Sequence, residues 1–338
     1  MQIIDRELSN RISWASFIGA CLIVLHHVPI SRTEGSSFYH AVLSIHHLCL
    51  IGVPLFFAIS GFLFVGRCEE SGWWKVALKK RCVSLLIPYV VINLFYVPFV
   101  WIYHNSSGSA FHSEMVYTLS IKTLLTALGL VLPANPACNP LWFVRFLFVL
   151  MIVSPVIVLI IRKNKVLARL FVGAMFLLMI FMPRFGIPDE VLSYRGIAFF
   201  SAGIYYRIYG LPDMRKANAS AFLATSIFFA ILSTNGIFCQ YGKWIVSIMG
   251  VIGLFYSARD LPEVPKIVAN SSFSIYVLHI ILMYGLRIGL KILGMGHLIY
   301  TVFGACAFLF LPIGIGCFAH YVIGKKSRIL ATLLFGGR

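Results

Sequence analysis

The chain has 338 residues, 60% of them hydrophobic and only 12% charged, and its mean hydropathy is +0.91. No soluble domain can hide that much apolar surface, so the composition excludes a water-soluble enzyme and indicates an all-α, polytopic membrane helical bundle. The net charge of +17 sits in short Lys/Arg clusters between apolar runs; this is a pattern of membrane topology, and no nucleic-acid partner is expected.

In chain order, residues 1–12 are polar, and the first apolar run has no cleavage pattern, so no cleavable signal peptide is expected. A span needs roughly 20 apolar residues. Ten runs meet or approach that length: 13–31, 45–66, 82–103, 141–161, 166–183, 194–210, 218–236, 243–258, 271–290 and 299–323. An eleventh, "TLLTALGLVLP" at 123–133, is too short and reads as a re-entrant or interfacial helix. With the N-terminus inside, 20 of the 28 Lys and Arg fall in inner segments and 7 in outer ones. That split predicts about ten transmembrane helices with both termini cytoplasmic. The inner segments are the N-terminus, 67–81, 162–169, 207–217, 258–270 and the tail, and the long loop 104–140 lies outside. Residues 1–338 read as a single membrane domain without a clear repeat, and the basic tail "KKSRILATLLFGGR" is expected on the anionic inner leaflet.

The eight cysteines form no CxxC pair, and no metal site is expected. Most sit in spans as small packing residues; Cys138 and Cys239, both in outer loops, leave open whether they pair. All eleven carboxylates fall in loops or terminal segments, which argues against a proton-coupled transporter. Histidine and arginine stand out instead. "LIVLHHVPI" closes the first span with His26 and His27, whose side chains point about 100° apart on a helix. His46 and His47 begin the second span and are expected to bond headgroups or backbone. His40, His104, His112, His297 and His320 read as loop or span-end residues, Arg145 lies one turn inside the fourth span, and His279 lies in the ninth. Trp101 and Trp142 suit interface anchors.

Five stretches in order resemble the acyltransferase-3 family of integral membrane acyltransferases. They are "CLIVLHH", "GVPLFFAISGFLF" (52–64), "KKRCVSLLIPYVV" (79–91), "PLWFVRFLFVLMIVSP" (140–155) and "SFSIYVLHIIL" (272–282). The resemblance covers nearly the whole chain and implies ten spans in a bacterial inner membrane. Aligning the first run makes His27 the family histidine. The family usually carries an arginine eleven positions earlier, where this chain has Ser16; the nearest arginine is Arg11.

The resemblance implies transfer of an acyl group, expected to be acetyl, from cytoplasmic acyl-CoA to a hydroxyl of a surface or lipid-linked glycan. Acetyl-CoA is then a donor substrate and no cofactor is held. A base must take the hydroxyl proton, and imidazole titrates near working pH. His27 is the expected base, His26 its neighbour, and Arg145 a donor to the oxyanion. Lys75, Lys79, Lys80 and Arg81 are the expected phosphate-binding cluster for acyl-CoA. Ser60, read more readily as packing, stands with Asn139, Trp142, Tyr276 and His279 among the further site candidates. A second reading is an exporter or flippase of a surface polysaccharide or lipid-linked sugar, favoured by the missing first-span arginine.

Overall fold

The computed structural model describes residues 1–30, 39–107, 121–131, 136–181, 193–234 and 238–337; among them the regular structure is entirely helical. The α-helices are α1 (Arg6–His27), α2 (Tyr39–Leu48), α3 (Gly52–Phe64), α4 (Trp73–Arg81), α5 (Ile87–Ser107), α6 (Ile121–Ala127) and α7 (Trp142–Lys163). They continue as α8 (Lys165–Phe181), α9 (Tyr194–Tyr209), α10 (Lys216–Leu232), α11 (Phe238–Ser257), α12 (Ser272–Ile292), α13 (Val302–Lys326) and α14 (Arg328–Phe335).

Among the described residues seven stretches are long and apolar enough to cross a membrane: 6–27, 39–64, 73–98, 139–163, 241–260, 272–292 and 302–326. The expected spans at 166–183, 194–210 and 218–236 are helices in place, α8, α9 and α10. At 17, 16 and 17 residues they are shorter than the roughly 20 of a typical span, so among the described residues length and composition identify seven. α9 packs against α3, α7 and α8, and most of its side chains are buried by protein. The segment at 121–131 is a short helix and turn, as expected of an apolar run too short to span.

Local sequence sets the helix ends. Asp5 accepts a hydrogen bond from the Leu8 N–H at 2.8 Å and starts α1. Val28 is extended (φ −60°, ψ 129°) because Pro29 follows, and this stops α1 at His27. The basic stretch read as an inner loop is helical from Trp73. It joins α5 through a wide π-helical turn, Cys82–Leu86.

Small residues bring the helices together. A Cβ on Gly61 would overlap the Phe200 carbonyl, and one on Gly203 the Ala58 carbonyl, so α3 and α9 meet backbone to backbone. The "SGF" glycine is therefore a packing residue. Gly52 meets the Gly19 carbonyl in the same way, joining α3 to α1.

Several of the basic segments meet at one end of the bundle. Arg6 pairs with Glu263 at 2.8 Å, Arg259 bridges Glu7 and Asp213, and Lys216 pairs with Asp260. Arg162 donates to the Cys68 carbonyl, and Gln2 N–H to the Arg207 carbonyl. The segments assigned to one side by charge thus share a face. The tail packs on the bundle: α14 docks on α5 and α13, Phe335 is buried, and Gly336 closes against Ser84. An apolar face at Ala331 and Phe335 draws it into the bundle.

Candidate active site

Four imidazoles from three helices form a chain of ring contacts. The His26 ring lies 3.8 Å from that of His46 and 5.3 Å from that of His27, and the His27 ring lies 5.2 Å from that of His279. The 100° divergence of His26 and His27 sends one toward α2 and the other toward α12. His279 is 0% exposed, whereas His27 is exposed and His26 and His46 are half-buried. His279 Nδ1 lies 2.6 Å from the Tyr276 carbonyl oxygen. A carbonyl only accepts, so Nδ1 carries the proton and Nε2 is the lone-pair nitrogen. That Nε2 is buried and has no hydrogen-bond partner among the described residues.

The expectation for His46 changes: tertiary packing of α2 on α1 brings it onto His26, away from a purely peripheral role. His47 also differs from expectation: it is buried, and its Nδ1 lies 2.6 Å from the Ser233 hydroxyl, a side chain rather than a headgroup or backbone group. His279 is the eighth residue of α12, so roughly 20 Å of that helix continues beyond it. The cluster therefore lies beside the body of α12 rather than at its far end.

Tyr276 links the histidines to the rest of the bundle. Its ring lies 6.0 Å from His279, 5.7 Å from Phe143 and 6.4 Å from Phe56, and its hydroxyl donates to the Pro140 carbonyl. A cavity of about 40 Å³ beside it is lined by Ser60, Arg81, Phe143, Ser272 and Tyr276. Of the four basic residues expected to bind acyl-CoA, Arg81 alone reaches this cavity; Lys75, Lys79 and Lys80 are exposed on α4.

Arg145 Nη1 donates to the Gly129 carbonyl at 2.6 Å. Tyr89 donates to the Leu128 carbonyl at 2.6 Å, and Asn93 accepts from Cys138 N–H at 3.0 Å. With Tyr276 on Pro140, side chains from α5, α7 and α12 fasten the segments flanking 132–135. Gly129 has φ +62°, and a Cβ there would lie 2.7 Å from Arg145 Nη1. Tyr89 lies in the quoted stretch 79–91 but is not singled out there as a site residue, and Asn93 lies just beyond it; the signal of both is polarity within an apolar run.

Asn139 is exposed and Trp142 half-buried at the start of α7. Arg11 is engaged elsewhere: it pairs with Glu7 at 2.8 Å and lies over Phe255 and Tyr256. Sixteen residues along a helix put it about 24 Å from His27. Ser16 is half-buried and supplies no cation. Cys138 is a free, buried thiol that burial pushes up to about 12, which makes it unreactive. The side chains of Trp101, His104 and Cys239, and all of His112, lie outside the described residues. Among the described residues no three His, Cys, Asp or Glu converge as metal ligands.

A helical membrane bundle with an imidazole cluster, an arginine-fastened segment and the five ordered motifs defines a class. The chain belongs to the acyltransferase-3 family, whose profile, described as an acyltransferase domain, matches residues 10–317. Among curated proteins it is similar to the "Succinoglycan biosynthesis protein ExoH" of Rhizobium meliloti (strain 1021), with 26% identity over 268 residues. That alignment covers 76% of this chain and 65% of the relative, so the chain spans just under two thirds of the relative's length. No solved structure matches the chain.

Proposed function

We propose that this protein is a multi-pass O-acyltransferase of the bacterial inner membrane, transferring acetyl from cytoplasmic acetyl-CoA to a hydroxyl of a surface or lipid-linked glycan. The observation that carries the reading is exposed His27 beside buried His279. The family supports acyl transfer, and the relative's name in succinoglycan biosynthesis supports a glycan acceptor.

In the proposed step neutral His27 takes the acceptor hydroxyl proton as that oxygen attacks the thioester carbonyl carbon. The carbonyl electrons move to oxygen, where Arg145 and neighbouring N–H groups stabilise the oxyanion. Collapse breaks the carbon–sulfur bond, and imidazolium His27 returns its proton to the CoA sulfur. The products are O-acetyl glycan and free CoA. Buried His279, held by Tyr276, positions the His27 ring.

The 20-to-7 distribution of Lys and Arg supports both termini inside, with α8, α9 and α10 completing ten crossings. Arg81, at the cavity beside Tyr276, is the member of the basic cluster best placed for an acyl-CoA phosphate. The test is transfer of labelled acetyl from acetyl-CoA to the native glycan in membranes. Transfer that requires His27 supports the reading. Glycan export that persists in the His27→Ala variant, with no acetyl transfer by the wild type, replaces it with the exporter reading.

A further inference from the structure

A second cavity lies across α3 from the small cavity beside Tyr276. It measures about 790 Å³ and runs between α3, α8, α9, α10 and α11. That volume is in the range of small-molecule sites, roughly 300–1,000 Å³. Phe62, Phe199, Phe222 and Phe255 line its interior, and Lys165, Arg169, Tyr205 and Tyr209 stand along one part of it. α3 separates it from the small cavity: Leu55, Ile59 and Phe62 face one side, Phe56 and Ser60 the other.

The cations at this end of the bundle differ in their partners: Arg162 donates to the Cys68 carbonyl and Arg207 lies over the Phe62 ring. Arg6, Arg11, Arg67, Lys216 and Arg259 each lie against a carboxylate. Among the described residues Lys165 and Arg169 have no such partner and lie against tyrosines instead. Lys165 Nζ sits 5.9 Å from the Tyr209 ring centroid, and Arg169 Nε donates to the Tyr205 hydroxyl at 3.2 Å. At positions i and i+4 of α8 they lie on one helix face, where like charges repel mildly. Tyr205, accepting from Arg169, keeps its own proton to donate. Together these groups offer an anion a fork, a point charge and a hydroxyl, beside a deep apolar space.

We propose that this cavity binds one anionic phospholipid, its phosphate on Lys165, Arg169 and Tyr205 and its hydrocarbon in the apolar interior. A zwitterionic headgroup would bring an ammonium against two cations, and free phosphate would leave the apolar space unused. The proposal is independent of acyl transfer and rests on the chain lying in a membrane.

The test uses delipidated full-length protein in detergent and native mass spectrometry. Phosphatidylglycerol should bind saturably at one site, at least 10-fold tighter than phosphatidylcholine with the same chains. Lys165→Gln/Arg169→Gln, both exposed positions, should abolish that preference. Ile248→Trp, which fills the half-buried cavity wall, should lower bound phosphatidylglycerol at least 10-fold while the helical circular-dichroism signal is retained. Equal binding of phosphatidylcholine, or an unaltered preference in the double variant, overturns the proposal. So does displacement of phosphatidylglycerol by a tenfold lower concentration of polyprenyl phosphate, which would assign the site to a lipid carrier. Displacement by equimolar inorganic phosphate also overturns it, since the cavity would then contribute nothing.

Discussion

The exposed imidazole of His27, the last residue of α1, lies 5.2 Å from the buried imidazole of His279 in α12. The second ring is held in one tautomer by the Tyr276 carbonyl, with Nδ1 protonated and Nε2 a lone pair. One imidazole is thus exposed at the end of α1, and the other is fixed by the fold. The pairing gives the proposed chemistry its testable core.

His27→Ala should lower acetyl transfer by about 10²–10⁴-fold, the range for one general base. His26→Ala should cost much less, because its ring faces His46. The base works as neutral imidazole, so the wild-type rate should fall on acidification, as imidazole takes up a proton. Rates for both variants across pH 5–8 check this. A dead His26→Ala beside an active His27→Ala would exchange the two roles.

His279 should act through His27. His279→Ala should reduce the rate and shift the acid limb of the pH profile, which a purely structural loss would leave in place. In a double-mutant cycle the two alanine substitutions should be non-additive by about 0.5–3 kcal/mol. Additive losses with an unshifted profile would assign His279 to packing alone.

Arg145→Lys keeps the charge and loses the planar fork, so most activity should disappear while membrane insertion is retained. Gly129→Ala should also reduce activity, since φ +62° and the nearby guanidinium both disfavour a Cβ, at about 1–3 kcal/mol. Full activity in both would remove the Arg145–Gly129 contact from the site.

Arg81→Gln should weaken acyl-CoA binding more than Lys79→Gln/Lys80→Gln, because Arg81 lines the cavity and the lysines face outward. Calorimetry with a non-hydrolysable acyl-CoA analogue measures both. What binding remains in the Arg81 variant should be less salt-sensitive. Equal binding in all three proteins would leave the cluster a purely topological role.

A cysteine placed at Ser71 should resist a membrane-impermeant reagent in intact cells and react after permeabilisation. Ser71 precedes α4 in the charge-rich segment assigned to the inside. Labelling in intact cells would invert the topology.

The sequence by itself determined the membrane-helical class, the family motifs and the segments that share a face. Hydrophobic run length, charge clustering and linear motifs are local quantities, readable without knowing what packs on what. Local chemistry also placed the end of α1, since Pro29 forces Val28 out of helix. Only the tertiary structure decided which polar residues meet. His46 looked like a span-end residue until packing set α2 against α1, and Arg11 proved engaged with Glu7 and two aromatic rings, far from His27. The basic cluster divided for the same reason: one helical step turns Arg81 into a cavity and leaves Lys80 outside. A residue's partners depend on where its helix face points, and contacts among helices distant in the chain determine that direction.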